Sequence, residues 1–244
     1  MNIGIIGSGE LGSLLALKFV KLGHTVSFAN SREPASLKQL ASDIGANATT
    51  VEEVVKNKDV IIISLPQKNI LDLPEGLFEQ VSEDTIVIET GNYYPNIRDG
   101  HIIELDQSGI DSLWVQQQLG FPVVKVFNSI LATSLKDQGR LKGEKDRIAI
   151  AVSGDNVKTK DVVFKLVDAL GFDAFDIGPI AQSWKQQPGS SIYCRDINIA
   201  ELKKRADAMG KDWSAAREII LNQRTSWEAL MVSDYSAYLK KLLD

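Results

Sequence analysis

The 244 residues contain one cysteine, Cys194, and two histidines, His24 and His101. A lone thiol excludes an internal disulfide, and with so few imidazoles and thiols no zinc site is expected. Lys and Arg form no cluster and the formal charge is −5, which argues against nucleic acid and against an anionic membrane surface as partners. No apolar run approaches the ~18 residues of a membrane span. Met1-Asn2-Ile3-Gly4 opens directly into a strand pattern and not into a signal or transit peptide. A soluble cytoplasmic protein without a membrane partner is therefore expected. There is no internal repeat and no low-complexity segment.

What is present begins at the amino terminus. Asn2 to Ile6 is a short apolar run of buried-strand character, followed at once by Gly7-Ser8-Gly9-Glu10-Leu11-Gly12. Leu11, Leu14, Leu15, Phe19 and Leu22 then recur at helical spacing, so the glycines occupy the turn from strand to helix. Gly7 suits the tight turn, Gly9 leaves the backbone bare for a pyrophosphate, and Gly12 lets helix and strand approach. The first-turn amides and the positive helix end favour the diphosphate.

The second strand, Thr25 to Ala29, ends in Asn30-Ser31-Arg32, where an NAD enzyme usually carries Asp or Glu against the ribose. An amide, a hydroxyl and a guanidinium suit the 2′-phosphate of NADP instead. Glu33 is expected in the first turn of the next helix, beside Pro34.

Further strands are read at 46–49, 59–65, 85–89, 123–128, 147–152 and 172–177, and helices at 34–44, after Thr50, and after Asn156. The fold class is α/β, a Rossmann-type doubly wound and mainly parallel sheet, with added strands after residue 128 and a helical carboxyl-terminal segment. Two parts follow: 1–180 as the NADP-binding domain and 181–244 as a helical segment forming a lid or a dimer contact. Ligands of open α/β sheets sit outside the carboxyl ends of the strands. Ser64, Leu65, Pro66 and Gln67 on one strand end, and Gly91 and Asn92 on another, are thus candidates for the nicotinamide-ribose wall. Tyr93 and Tyr94 either stack on a ring or cover the loop. His101 is read as solvated. The stripe Trp227, Leu230, Met231, Tyr235, Tyr238 and Leu242 is read as core or subunit contact.

Together these features resemble the family of NADP oxidoreductases dependent on the deazaflavin coenzyme F420. They are also similar to the cytosolic oxidoreductase domain of the six-transmembrane metalloreductases. The resemblance covers roughly residues 1–184 and rests on Gly7 to Gly12, Asn30 to Arg32, Lys125-Val126-Phe127-Asn128 followed by Ala132, Val152 to Asp155, and Leu170-Gly171-Phe172 through Asp176 to Pro179. It implies NADP(H) bound by Ser8 to Leu11 at the diphosphate and by Ser31 and Arg32 at the 2′-phosphate. It also implies Asn92, Asn128 and Ala132 near the nicotinamide, and hydride transfer to a flavin-type ring. The membrane half of the metalloreductases has no counterpart here, and residues 186–244 match nothing in either group.

The expected activity is hydride transfer between NADPH and a flavin, a deazaflavin or a small electron acceptor, with the flavin or deazaflavin as co-substrate and the chain as a homodimer. No catalytic side chain is assigned, since hydride passing between stacked rings needs positioning more than acid–base chemistry. Two other readings stay open: an NADPH-dependent imine or hydroxy-acid reductase, and a binding module that senses NADP without turnover. If the helical segment is a lid, Tyr193, Cys194 and Arg195 line the substrate site.

Overall fold

Val60 to Ile63 is a β-branched run buried on both faces, so both faces need cover, as in a parallel sheet flanked by helices. The computed structural model describes residues 1–243. It contains an eight-stranded sheet in the order β3-β2-β1-β4-β5-β6-β7-β8, built from β1 (Asn2–Ile6), β2 (Thr25–Ala29), β3 (Asn47–Ala48), β4 (Val60–Ile63), β5 (Ile86–Glu89), β6 (Val123–Lys125), β7 (Ala149–Ser153) and β8 (Asp173–Gly178). Every neighbouring pair is parallel except β6 and β7, which meet antiparallel at Lys125 and Ser153. The first six strands follow the doubly wound dinucleotide-binding order, and β7 and β8 extend it as read from the sequence.

Alternation along the strands divides the core. Ile3, Ile5, Val60, Ile62 and Ile88 face a layer with Leu15 and Phe19 of α1 (Glu10–Lys21), Leu37 and Ile44 of the next crossover, and helices further along the chain. Ile6, Ile61, Ile63 and Val87 face the other layer. The crossover after β2 starts as a tight turn over Pro34–Leu37, continues as α2 (Lys38–Ile44) and stops at Gly45 in a left-handed conformation (φ 83°). Glu33 stands one residue outside that turn, as its N-cap. Thr50 caps the single turn α3 (Val51–Val54), its hydroxyl accepting from the Glu53 amide at 3.2 Å.

Between β5 and β6 lie two helices that no periodicity announces: α4 (Ile103–Ser108) and α5 (Asp111–Leu119). The α5 sequence is polar at Gln116-Gln117-Gln118, yet Trp114 and Val115 are buried against the sheet. β6 is shorter than the expected 123–128, because Phe127 adopts a left-handed φ of 65° and turns the chain out of the sheet. α6 (Ala132–Asp137) and α7 (Val157–Ala169) complete the first layer, with Asn156 capping α7 through the Lys158 and Thr159 amides.

The polar passage after Pro179 is not a solvated loop. Ile180–Gln186 forms a tight helical stretch in which Trp184 and Gln186 are fully buried. α8 (Ile199–Ala208) places Leu202 and Ala206 against Ala149 and Ala151 of β7. α9 (Trp213–Ser233) and α10 (Tyr235–Leu243) carry the aromatic stripe. Trp227, Tyr238 and Leu242 pack with Tyr193 and Cys194, whereas Tyr235 opens α10 and is 57% exposed. α9 is tied to the β5–β6 connection by Glu228, which accepts from the Asn96 amide at 3.0 Å, and by Trp213 Nε1, which donates to the Ser108 carbonyl at 3.0 Å.

Two variants probe this docking. Gly189 has φ 96°, and a Cβ there would stand 2.2 Å from the Ile220 carbonyl of α9. Gly189→Ala is expected to cost about 1–3 kcal/mol, a fall in Tm of roughly 3–10 °C by calorimetry. Asp111 is buried, its carboxylate accepting from the Tyr93 amide at 3.2 Å with Arg224, Lys125 and Glu89 nearby. Burial pushes its carboxyl up to about 6 from an ordinary 3.8. The folded state therefore holds the extra proton between about pH 4 and 6, so this group's contribution to stability declines as pH rises through that window. Asp111→Asn should flatten that slope and gain about 1–3 kcal/mol at pH 7, read from denaturant unfolding at several pH values.

Candidate functional site

The register of β1 builds the site. Ile6 pairs with Ala29 on one side and Ile63 on the other, so the chain leaves the sheet at Gly7, Asn30 and Ser64 side by side. The Gly7 amide donates to the Ala29 carbonyl and the Ser64 amide to the Ile6 carbonyl, both at 2.8 Å.

The three motif glycines have different neighbours. Gly7 has φ 120°, and a Cβ on it would lie 2.1 Å from the Ser64 carbonyl oxygen; one on Gly12 would lie 2.2 Å from the Gly7 carbonyl oxygen. Those two are demanded by the turn and by helix packing. A Cβ on Gly9 would meet nothing within 4 Å. Folding alone does not require glycine there, and the bare backbone opens outward. Gly9 is also the N-cap of α1 and offers no side-chain cap, so the first-turn amides at Glu10, Leu11 and Gly12 are left for a ligand or solvent.

Asn30 joins this turn to the tip of β2. Its Nδ2 donates to Ser8 Oγ at 3.2 Å, and its Oδ1 accepts from the Arg32 amide at 2.9 Å. Ser31 and Arg32 are exposed beside it. The three strand ends enclose a cleft of about 490 Å³, within the range of small-molecule sites. Its walls are residues 6–9, 30–34 and 64–66, and the far side is closed by Thr50 to Glu52, by Asn69 and by Asp72 to Pro74. Sequence reading did not single out that far side; the only signal was its position just after the β4 terminus and at the start of α3. Glu33 and Glu52 bring carboxylates to the rim, and a hydrogen bond from the Glu52 backbone holds the Glu52 carboxyl below its ordinary range.

The ends of β5 and β6 form a neighbouring, polar group. Glu89 and Lys125 make a fully buried ion pair at 2.7 Å. Together they grip Gly91: its amide donates to Glu89 Oε1 at 2.5 Å, and its carbonyl accepts from Lys125 Nζ. Asn92 follows, partly exposed, and its side chain bonds Asn128 and the Tyr193 hydroxyl. Asn128 is buried, and Ala132 opens α6 half-exposed.

Gly91, Asn92, Asn128 and Ala132 do not border the 490 Å³ cleft. Gln67 does not either; it is fully buried. The Tyr93 hydroxyl donates to Asp106 at 2.8 Å, and the Tyr94 hydroxyl meets that of Tyr193 at 2.5 Å, so both rings hold the loop. Burial raises the phenols of Tyr94 and Tyr193 well above the ordinary value. His101 is exposed and pairs with Asp106 at 2.8 Å. Among the described residues no group of three or more potential ligands could hold a metal ion, and no helix is long and apolar enough to cross a membrane.

Because Gly9 faces open space, Gly9→Val should lower the unfolding free energy by no more than about 1 kcal/mol, the cost of an apolar residue at an N-cap. The same variant should weaken dinucleotide binding by at least about tenfold, by isothermal calorimetry.

Residues 2–93 match the family described as NADP oxidoreductase, coenzyme F420-dependent. Over 84 residues the chain is 38% identical to protein YjhV of Escherichia coli K12, covering 34% of this chain and 61% of that protein. Over 185 residues it is 29% identical to metalloreductase STEAP3 of Rattus norvegicus, covering 75% of this chain and 35% of that protein. The fold superposes with a TM-score of 0.60, at 22% identity, on a candidate F420-dependent NADP reductase from Arthrobacter sp. FB24, covering 75% of this chain and 87% of the other. The chain thus spans 61% and 35% of the lengths of the two relatives. Over residues 2–93 this sequence matches the coenzyme F420-dependent NADP oxidoreductases, and it carries that match on the Rossmann fold.

Proposed function

We propose that this chain is an NADP(H)-dependent oxidoreductase that passes hydride between NADPH and a flavin, a deazaflavin or a small electron acceptor. One observation carries the reading: the tip of β2 presents Asn30, Ser31 and Arg32 to the cleft that Gly9 leaves open, and the nearest carboxylate, Glu33, follows them at the rim. Bound there, the nicotinamide supplies or takes the hydride. Ser8 to Leu11 hold the diphosphate with backbone amides, and Ser31 and Arg32 take the 2′-phosphate. Ser64, Leu65 and Pro66 line the ribose, while Gly91, Asn92, Asn128 and Ala132 hold the nicotinamide end. Residues 1–180 carry the cofactor in this reading, and 181–244 serve as a lid or a dimer contact.

The chemistry asks these residues for position. Donor and acceptor carbons react when held about 3–3.5 Å apart, and buried, internally bonded loops such as Gly91 to Tyr94 give that rigidity. Ile219, Val232 and Tyr235 are apolar and exposed on α9 and α10, which supports a homodimer contact. The single cysteine, buried and unpaired, suits a reducing cytoplasm.

A second reading is an imine or hydroxy-acid reductase. It is supported by the Tyr193 hydroxyl, 3.2 Å from Asn92 Nδ2, a phenol protonated at neutral pH whose acidity burial lowers further. NADPH oxidation with flavins and deazaflavins but not with a cyclic imine or a hydroxy acid supports the first reading, and the reverse pattern supports the second.

The cofactor assignment has its own test. Arg32 offers charge-assisted bonds of roughly 1.5–3 kcal/mol to a phosphate, discounted for its exposure to solvent. Arg32→Ala should therefore weaken NADPH about ten- to a hundredfold and NADH less than about threefold, by calorimetry. Equal losses for both would overturn the 2′-phosphate role.

A further inference from the structure

The carboxyl-terminal segment reaches the proposed nicotinamide end through a run of side-chain amides whose orientations are dictated by the backbone. Gln186 Nε2 lies 3.3 Å from the Lys125 carbonyl oxygen, 3.2 Å from that of Ala151 and 2.9 Å from Asn128 Oδ1. Carbonyl oxygens only accept, so that atom is the nitrogen, and Oε1 accepts from Ser153 Oγ at 2.8 Å. Asn128 Oδ1 is thereby an acceptor, and its Nδ2 donates to the Gln186 carbonyl at 2.6 Å and to Asn92 Oδ1 at 3.0 Å. Asn92 follows in turn. Its Nδ2 donates to the Asn128 carbonyl at 3.1 Å and to the Tyr193 hydroxyl at 3.2 Å.

Both hydrogens of the Asn92 amide are committed, and Oδ1 keeps one free lone pair. Asn128 and Gln186 are 2% and 0% exposed, whereas Asn92 is partly open. The only group this network offers outward is an acceptor. We infer that Asn92 Oδ1 accepts a hydrogen bond from the NH₂ of the nicotinamide carboxamide, and that Tyr193, Asn128 and Gln186 are positioning residues that deny Asn92 a free N–H for the carboxamide oxygen. The inference rests on the cofactor reading above and adds to it which half of the carboxamide is read, and by which part of the chain.

The test uses the full chain and four ligands, NADP, its thionicotinamide and 3-acetylpyridine analogues, and 2′,5′-ADP, titrated by calorimetry. The thio analogue keeps the NH₂ and alters the oxygen, whereas the acetyl analogue keeps the oxygen and replaces NH₂ by methyl. The thio analogue is expected within about threefold of NADP, and the acetyl analogue about tenfold weaker, one hydrogen bond's worth. Tyr193→Phe frees one Nδ2 hydrogen of Asn92, so the acetyl-to-thio ratio should shrink to about threefold or less while 2′,5′-ADP, which lacks the nicotinamide, binds as before. A purely structural Tyr193 would instead weaken all four ligands together.

Equal binding of the two analogues by the parent chain, with NADP still preferred over NAD, overturns this assignment and leaves the cofactor reading standing. An unchanged ratio in Tyr193→Phe overturns the role of the carboxyl-terminal segment. Failure of all ligands to bind overturns the cofactor reading and this inference with it.

Discussion

Parallel pairing of β1 between β2 and β4 is the constraint on which the rest of this molecule depends. In a parallel ladder the register sets where each strand stops relative to its neighbours. Ile6 opposite Ala29 and Ile63 brings three turns out at one level. A shift of one residue would reverse which side chains face each layer, and it would separate Gly7 from the Ser64 carbonyl that forbids any larger residue there. Glycine geometry, cleft and helix dipole are consequences of that pairing. The family match over residues 2–93 covers this portion.

A second constraint acts beside the cleft, at the ends of β5 and β6. Glu89 and Lys125 are both taken out of water, and removing either partner of such a pair typically costs about 3–5 kcal/mol. Their partners include Gly91 and Ser112, so the charge that must be neutralised also holds the backbone at the β5 terminus. The same logic seats residues 183–195. Gln186 and Gln187 are buried, and a buried amide must find partners. Gln186 finds them on β6, β7 and Asn128, and Gln187 Nε2 finds the Gly109 carbonyl. A polar stretch is thereby made specific where an apolar one would merely be sticky.

The strands and the nucleotide turn were legible because each leaves a local signature: β-branched runs, a glycine pattern between strand and helix, and caps such as Thr50 and Asn156. Elements whose burial comes from one or two residues were not. α5 carries three consecutive glutamines and gives no helical stripe, yet Trp114 and Val115 are enough to dock it. The sequence places Phe127 next to last in a strand at 123–128, because nothing local announces a left-handed phenylalanine; the chain instead leaves the sheet there, after Lys125 pairs with Ser153 of β7.

Taken alone, the sequence determined that residues 1 to about 65 make a dinucleotide-type βαβ unit and that the tip of its second strand carries an amide, a hydroxyl and a guanidinium in place of an acid. Those are properties of spacing and residue type, which survive without coordinates. Only the tertiary structure decided which motif glycine is free of packing, that Gln186 reaches Asn128 across 58 positions of chain and Tyr193 reaches Asn92 across 101, and which way each amide points. Those outcomes depend on hydrogen-bond partners that are remote in sequence, and burial, by making every unpaired polar group costly, is what forces the partners together.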